Sequence, residues 1–210
     1  MKARWPRVRR FGDAAVLVEV AARPGVRTAR RVASLARALE GLTGVLDVTP
    51  GATSVLVEGG ELVMIQQVAA AAIAGPDDPT DSRSWVIPVR FGGDDGPDLA
   101  ESAALAGLTA DALVALLVGV DLTVGFVGFS PGFPYLLGLP RRLALPRLAT
   151  PRLRVPAGSV ALAGGWLGIY PSATPGGWRI VGRTNQPLFG ADWTPPARFA
   201  AGDRVRLVAG

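Results

Sequence analysis

The second half of this chain has few side chains that could carry out a reaction. Residues 121–210 hold ten arginines and three carboxylates, Asp121, Asp192 and Asp203, with no histidine, cysteine or lysine. Over all 210 residues histidine and cysteine are absent, and Lys2 is the only lysine. Ser-His and Cys-His dyads, His- or Cys-ligated metal sites and disulfides are thereby excluded, and no metal site is expected. No Gly-x-x-x-x-Gly-Lys-Ser/Thr is present, so a P-loop is excluded too. Asp203 follows Gly202 in a turn and Asp192 lies in a Gly-Ala-Asp-Trp-Thr-Pro-Pro loop, so each has a structural task open to it. What remains is equipment for binding: arginines, backbone amides and aromatic rings.

Those groups are concentrated in one stretch. Gly-Phe-Ser-Pro-Gly-Phe-Pro-Tyr-Leu (Gly128 to Leu136) is followed by Pro-Arg steps at Pro146 and Pro151 and by Val-Pro-Ala-Gly-Ser-Val (Val155 to Val160). Gly-Ile-Tyr-Pro (Gly168 to Pro171), Thr-Pro-Gly-Gly-Trp (Thr174 to Trp178) and Gly-Arg-Thr (Gly182 to Thr184) come next. Proline fixes φ and glycine opens positive φ, so Pro-Gly steps among aromatic and β-branched residues specify rigid turns with exposed amides. The candidate substrate- or partner-binding residues are therefore Phe129, Ser130, Pro131, Gly132, Phe133 and Tyr135 in the first motif. Pro156, Ser159 and Tyr170 come from the middle motifs, and Gly176, Gly177 and Trp178 from the last. Arg147, Arg152 and Arg183 stand inside motif segments and are candidate anion contacts, because a guanidinium holds carboxylate or phosphate oxygens bidentately. A salt link or loop cap is an equally available role for each. The Gly-Phe-Ser-Pro-Gly-Phe and Pro-Gly-Gly-Trp turns are expected on one rim, sharing a pocket or partner surface.

The elements that must position these residues fall into two parts. Val16, Val18 and Val20 share a strand face, and Val32, Leu35, Ala36 and Leu39 recur at helical spacing. Short strands at Val45–Val48 and Val55–Val57 flank Pro50-Gly51, a helix carries Leu62, Ile65, Ala69 and Ala72, and Trp85–Arg90 reads as the last strand. That order, βαββαβ, predicts a ferredoxin-like sandwich over residues 1–90. The Gly- and Asp-rich turn Phe91–Pro97 predicts the boundary, and residues 91–210 then read as two leading helices, the second capped by Thr109, followed by a β-barrel. Gly202-Asp203 followed by Arg204–Val208 supplies its closing strand. The fold class is α+β.

Charge is uneven between the halves: net +7 over residues 121–210 and −2 over residues 1–120. A basic half favours anionic ligands or an acidic partner surface. The predicted strand Thr53–Glu58 has no aromatic, lysine or arginine with which to stack or hold bases, so no nucleic acid partner is expected. Acidic residues interrupt the first apolar stretch, and the longest apolar run, Ala112 to Val120, is too short to span a bilayer. A cytoplasmic protein without a membrane partner is expected.

Taken in order, these motifs resemble the KipI family, which comprises the B-type component of 5-oxoprolinase and is also called allophanate hydrolase subunit 1. Upstream, Arg10–Glu19, Gly44–Gly51 and Ile87–Leu99 are similar to the family's N-terminal half and linker, so the resemblance covers nearly the whole chain. It implies that the barrel is cyclophilin-like. It also implies a heteromeric complex with a homologous larger subunit (the KipA, 5-oxoprolinase C-type component or allophanate hydrolase subunit 2 kind), and in the 5-oxoprolinase system a third hydrolase subunit. Such a complex opens 5-oxoproline to glutamate at the expense of ATP, with the ATP bound by the complex rather than by this chain; a magnesium site is not assigned. Two other roles are implied by kinship: inhibition of a sensor histidine kinase, and a part in a urea carboxylase-type carboxyltransferase. No biotin-bearing Met-Lys-Met is present for the latter. The chain departs from the family pattern at Trp166-Leu167, where Gln-Thr is common, and near Leu117, where a histidine is often found. Both changes remove polar groups from possible site positions.

Overall fold

The computed structural model describes residues 5–74 and 82–210. It divides into two compact units, Met1–Ser82 and Arg83–Gly210. The first unit contains β1 (Arg7–Phe11), β2 (Ala15–Glu19), α1 (Val26–Glu40), β3 (Val45–Pro50), β4 (Ser54–Gly59) and α2 (Leu62–Ala74). Its sheet runs β1-β2-β4-β3, with every neighbouring pair antiparallel. The core is aliphatic: Val16 and Val18 of β2 and Val55 and Val57 of β4 meet Val32, Leu35 and Leu39 of α1 and Ile65 of α2. Each such side chain contributes about 1.5 to 3 kcal/mol when taken out of water.

The second unit begins with β5 (Ser84–Phe91), α3 (Leu99–Leu105) and α4 (Ala110–Gly119). Eight strands follow: β6 (Leu122–Val127), β7 (Pro134–Leu137), β8 (Arg152–Val155), β9 (Ser159–Ala163), β10 (Trp166–Ile169), β11 (Thr174–Gly176), β12 (Arg179–Arg183) and β13 (Arg204–Ala209). Seven strands close a barrel in the order β10-β7-β6-β13-β5-β12-β9, while β8 and β11 pair separately as a short ribbon. Ile87, Leu122, Val124, Leu136, Val160, Leu162, Leu167, Val181 and Leu207 fill an almost wholly aliphatic core, with Leu113 and Leu117 of α4 packed into it. Thr109 caps α4 as expected, its hydroxyl accepting the Ala112 amide at 3.2 Å.

The strand expected to finish the first unit belongs to the barrel instead. β5 pairs in parallel with β13 from Ser84↔Arg204 to Val89↔Ala209, and antiparallel with β12. Trp85 anchors its start, donating to the Asp203 carboxylate at 3.0 Å and meeting Phe199 edge-on at 5.8 Å. The division therefore falls between Ser82 and Arg83 rather than after Arg90, and the turn at Phe91–Pro97 lies inside the second unit. In the first unit the fourth strand is β1, whose arginines at 7, 9 and 10 hide a strand in what reads as a basic terminus. Charged side chains on an edge strand protect its open backbone from pairing with another chain. Among the described residues no single helix is long and apolar enough to cross a membrane.

Candidate functional site

The turn between β6 and β7 is held by its own backbone. Gly128 N–H donates to Phe133 O at 3.0 Å, Ser130 N–H to Gly128 O at 2.8 Å and Phe133 N–H to Ser130 O at 3.0 Å. Phe129 sits inside it at φ 67°, the one non-glycine residue with positive φ among those described. Gly132, at φ 78°, lies so close to Phe189 that an added Cβ would stand 2.8 Å from that residue's own Cβ. The turn thus presents Phe129 outward, 64% exposed, and turns Phe133 inward, 2% exposed.

The ribbon side is equally constrained. Leu148 N–H donates to Gly177 O at 2.8 Å and Arg179 Nε to Pro146 O at 2.9 Å, fixing the 144–148 loop against the Pro-Gly-Gly-Trp turn. Both turns and this loop line one pocket, of about 90 Å³, formed by Phe129, Phe133, Tyr135, Tyr170, Pro175, Gly176, Gly177, Trp178 and Arg147. Glycine is required by packing near its floor: a Cβ at Gly168 would stand 2.5 Å from Phe133 and 3.0 Å from Trp178, and one at Gly176 would stand 2.5 Å from the Tyr170 hydroxyl.

The rings form one continuous network. Phe133 meets Tyr170 at 5.0 Å, Tyr135 at 5.1 Å, Phe129 at 5.4 Å and Trp178 at 5.7 Å, all edge to face. Tyr135 stacks flat on Phe126 at 4.2 Å and stands perpendicular to Trp166 at 5.8 Å. Each such pair is worth about 0.5 to 1.5 kcal/mol beyond the area it buries. The buried members pack with Val155, Ala161, Ala163 and Ile180 as a cluster separate from the barrel's aliphatic core.

Electrostatics divide the three candidate arginines. Arg152 is bidentate to Asp98, at 2.7 and 2.9 Å, and Asp98 also accepts the Ile180 amide at 2.7 Å, so this arginine serves as an internal strut. Arg183 donates to Ala157 O at 3.0 Å and lies 3.7 Å from Asp95. The hydrogen bond from Arg90 to Asp95 holds that carboxyl below the usual carboxylate range. Both arginines take the salt-link role, and neither lines the pocket. Arg147 does line it; it is exposed and makes no hydrogen bond or ion pair among the described residues. Its charge reaches both tyrosines: burial raises the Tyr135 and Tyr170 pKa values above the ordinary tyrosine value, and Arg147 pulls each back down.

The remaining predicted residues lie apart from the pocket. Ser130 and Pro131 belong to the β6–β7 turn without lining it, and the Ser130 hydroxyl is buried without a partner. Pro156 is exposed in the β8–β9 connection and Ser159 is buried at the start of β9. Leu167 and Leu117 are both fully buried in the barrel core, whereas Trp166 joins the ring network. Sequence reasoning missed Phe126 and Pro175. Phe126 lies just upstream of the first motif, beside a bulge at Gly125, where a Cβ would stand 2.9 Å from Trp166. Among the described residues no three acidic side chains gather as a metal would require.

Residues 6–199 match the family described as carboxyltransferase domain, subdomain C and D. The chain is 39% identical over 203 residues to the B-type component of 5-oxoprolinase from Escherichia coli O157:H7, covering 94% of this chain and 93% of that protein. It superposes on a conserved protein from Pyrococcus horikoshii with a TM-score of 0.60 and 34% identity, covering 97% of each chain. It shares its fold, at 19% identity and a TM-score of 0.71, with 22% of the urea carboxylase of Kluyveromyces lactis, over 98% of this chain.

Proposed function

Since this chain belongs to the carboxyltransferase subdomain C and D family, with the B-type component of 5-oxoprolinase as its near full-length relative, we propose that it is one subunit of an ATP-dependent 5-oxoprolinase-like assembly. The match to the Escherichia coli protein over 93% of its length is the observation that carries this reading. The chain acts with a homologous larger subunit and with a third hydrolase subunit, in the cytoplasm, where ATP is at hand. ATP binds to the assembly rather than to this chain, which has no P-loop. Its barrel is of the cyclophilin-like kind, and its first unit is a variant of the ferredoxin-like sandwich in which β1 replaces the expected last strand.

The division of labour follows from the side chains. The pocket has rings, two glycines and an arginine, but no histidine, cysteine, lysine or carboxylate to move a proton or attack a carbonyl. It can hold and orient a ligand, and reaction chemistry then falls to the partners. Two polar differences bear on this role: Trp166 enlarges the ring network and Leu167 turns into the core. The test is reconstitution with the larger and third subunits, 5-oxoproline, ATP and magnesium, with glutamate as the measured product. Turnover is expected only from the complete assembly. Glutamate from this chain alone, or an inert complete assembly, overturns the reading.

The family description favours a second reading, a carboxyltransferase-related subunit served by a separate biotin carrier. Carboxylation of a substrate that requires added biotin carrier protein and bicarbonate would select it over amide-ring opening.

A further inference from the structure

The ring-lined pocket already carries, on its own wall, a charge of the sign its rings would ordinarily attract from a ligand. Aromatic cages favour cations, because each ring face is the negative part of its quadrupole. Here the charged residue on the wall is Arg147, exposed and unpaired among the described residues, and no acidic residue lines the pocket. The neighbouring arginines are engaged elsewhere, Arg152 by Asp98 and Arg179 by the Pro146 carbonyl. Arg147 therefore presents a free fork of donors at the mouth of a set of ring faces and edges.

Two further observations bear on the occupant. Phe129 holds φ 67° with its ring 64% exposed. Left-handed backbone costs a side-chain-bearing residue roughly 1 to 2 kcal/mol, which an exposed ring does not recover by burial. Strain of this sort at a pocket rim is a mark of a functional position. The volume of about 90 Å³ is far below the roughly 300 to 1,000 Å³ of sites for drug-sized ligands. That excludes a nucleotide and admits a single small ring.

We infer that this pocket binds a small planar molecule bearing one carboxylate, with Arg147 as the residue that selects the carboxylate and Phe129 and Trp178 flanking the ring. The assignment rests on the reading above that the barrel supplies a binding rather than a reacting surface; it does not depend on which reaction the assembly performs. Arg152 and Arg183 are held by partners of their own, Asp98 for the one and the Ala157 carbonyl for the other, and neither lines the pocket.

The experiment is calorimetric titration of the full chain with an unreactive probe pair, pyrrole-2-carboxylate and pyrrole-2-carboxamide. The carboxylate is expected to bind and the carboxamide to bind more weakly by roughly 10- to 100-fold, the range of one charge-assisted hydrogen bond. Arg147→Gln is expected to lose the same factor for the carboxylate, to leave the carboxamide unaffected and to leave the melting temperature unchanged. Arg147→Lys, which keeps the charge without the fork, is expected to fall between and serves if Arg147→Gln proves unstable. Equal binding of the two probes, unchanged carboxylate binding in Arg147→Gln, or no binding of either probe by the unmodified chain overturns the inference. Its failure is separable from that of the proposed reaction. An assembly inert toward 5-oxoproline whose probe binding still depends on Arg147 sinks only the reaction. Normal turnover with an unchanged KM in Arg147→Gln sinks only this assignment.

Discussion

The barrel unit contains two hydrophobic assemblies of different composition, and the contrast separates scaffold from site. One is the aliphatic interior, built from Leu, Val and Ile on seven strands and two helices, with Phe199 its only aromatic among the buried members. The other is the ring network around Phe133, where the buried members are Phe133, Tyr170 and Trp178 with a few small aliphatic partners. The first unit, also packed by aliphatic side chains alone, shows that this chain needs no aromatics to make a core. The ring-rich cluster is thus a second core of different composition beside the aliphatic one, and both tyrosines of the chain belong to it.

Breaking the scaffold should have the largest effect. Asp98→Ala removes the acceptor for both Arg152 donors and for the Ile180 amide, and it should lower unfolding free energy by about 3 to 5 kcal/mol, as expected when a buried ion pair loses one member. Urea denaturation read by far-UV circular dichroism checks this. A loss under about 1 kcal/mol would mean that the strut is dispensable. Gly168→Ala attacks the ring network directly, pressing a methyl onto Phe133 and Trp178. About 1 to 3 kcal/mol of destabilisation is expected from overpacking, with a changed near-UV spectrum while the far-UV spectrum stays as it is.

The site side of the contrast predicts an opposite sign. Phe129→Gly relieves the left-handed backbone while giving up a mostly exposed ring, so stability should hold or rise by up to about 1 kcal/mol. Carboxylate-probe binding should weaken in the same protein. A marked loss of stability would make Phe129 part of the scaffold.

The smallest effect is on titration. Burial raises the tyrosine pKa values in the folded state, so the neutral hydroxyl is favoured by folding. The stability linked to them is fully present below the unfolded tyrosine value and is lost as pH rises through the folded values. Absorbance at the phenolate band should therefore show ionisation only above the ordinary tyrosine pKa of 10.0. Because Arg147 pulls both values down, Arg147→Gln should move the curve further toward high pH; an unmoved curve would place the guanidinium away from the two hydroxyls.

How much of the molecule is legible in its sequence depends on whether the deciding contact is local. The α1 spacing, the Thr109 cap and the two rigid turns follow from residues close in sequence, and the structure has them. The meeting of the two turns follows from their shared chemistry of proline-fixed backbone and rings. The roles of the arginines do not, because Arg152 and Asp98 are 54 positions apart and nothing in a Pro-Arg motif shows where its guanidinium ends. Arg147, which follows a proline in the same way, has no such distant partner among the described residues. The segment Ser84–Phe91 reads correctly as a strand but attaches to the wrong unit, since its alternation of buried Ile87 and Val89 with exposed neighbours suits any half-buried sheet. Its allegiance is set by β13, over a hundred residues later.

That pairing also governs the order in which the protein can be made. β5 leaves the ribosome just after the first unit is complete, yet its neighbours β12 and β13 are the last two strands synthesised. The first unit can fold as it emerges, while β5 must wait with both backbone edges unpaired until β13 arrives, because contacts so distant in sequence close late. Pro88 in the middle of β5, which lacks an amide to offer, and Arg90 near its end are suited to guarding that interval against pairing with another nascent chain.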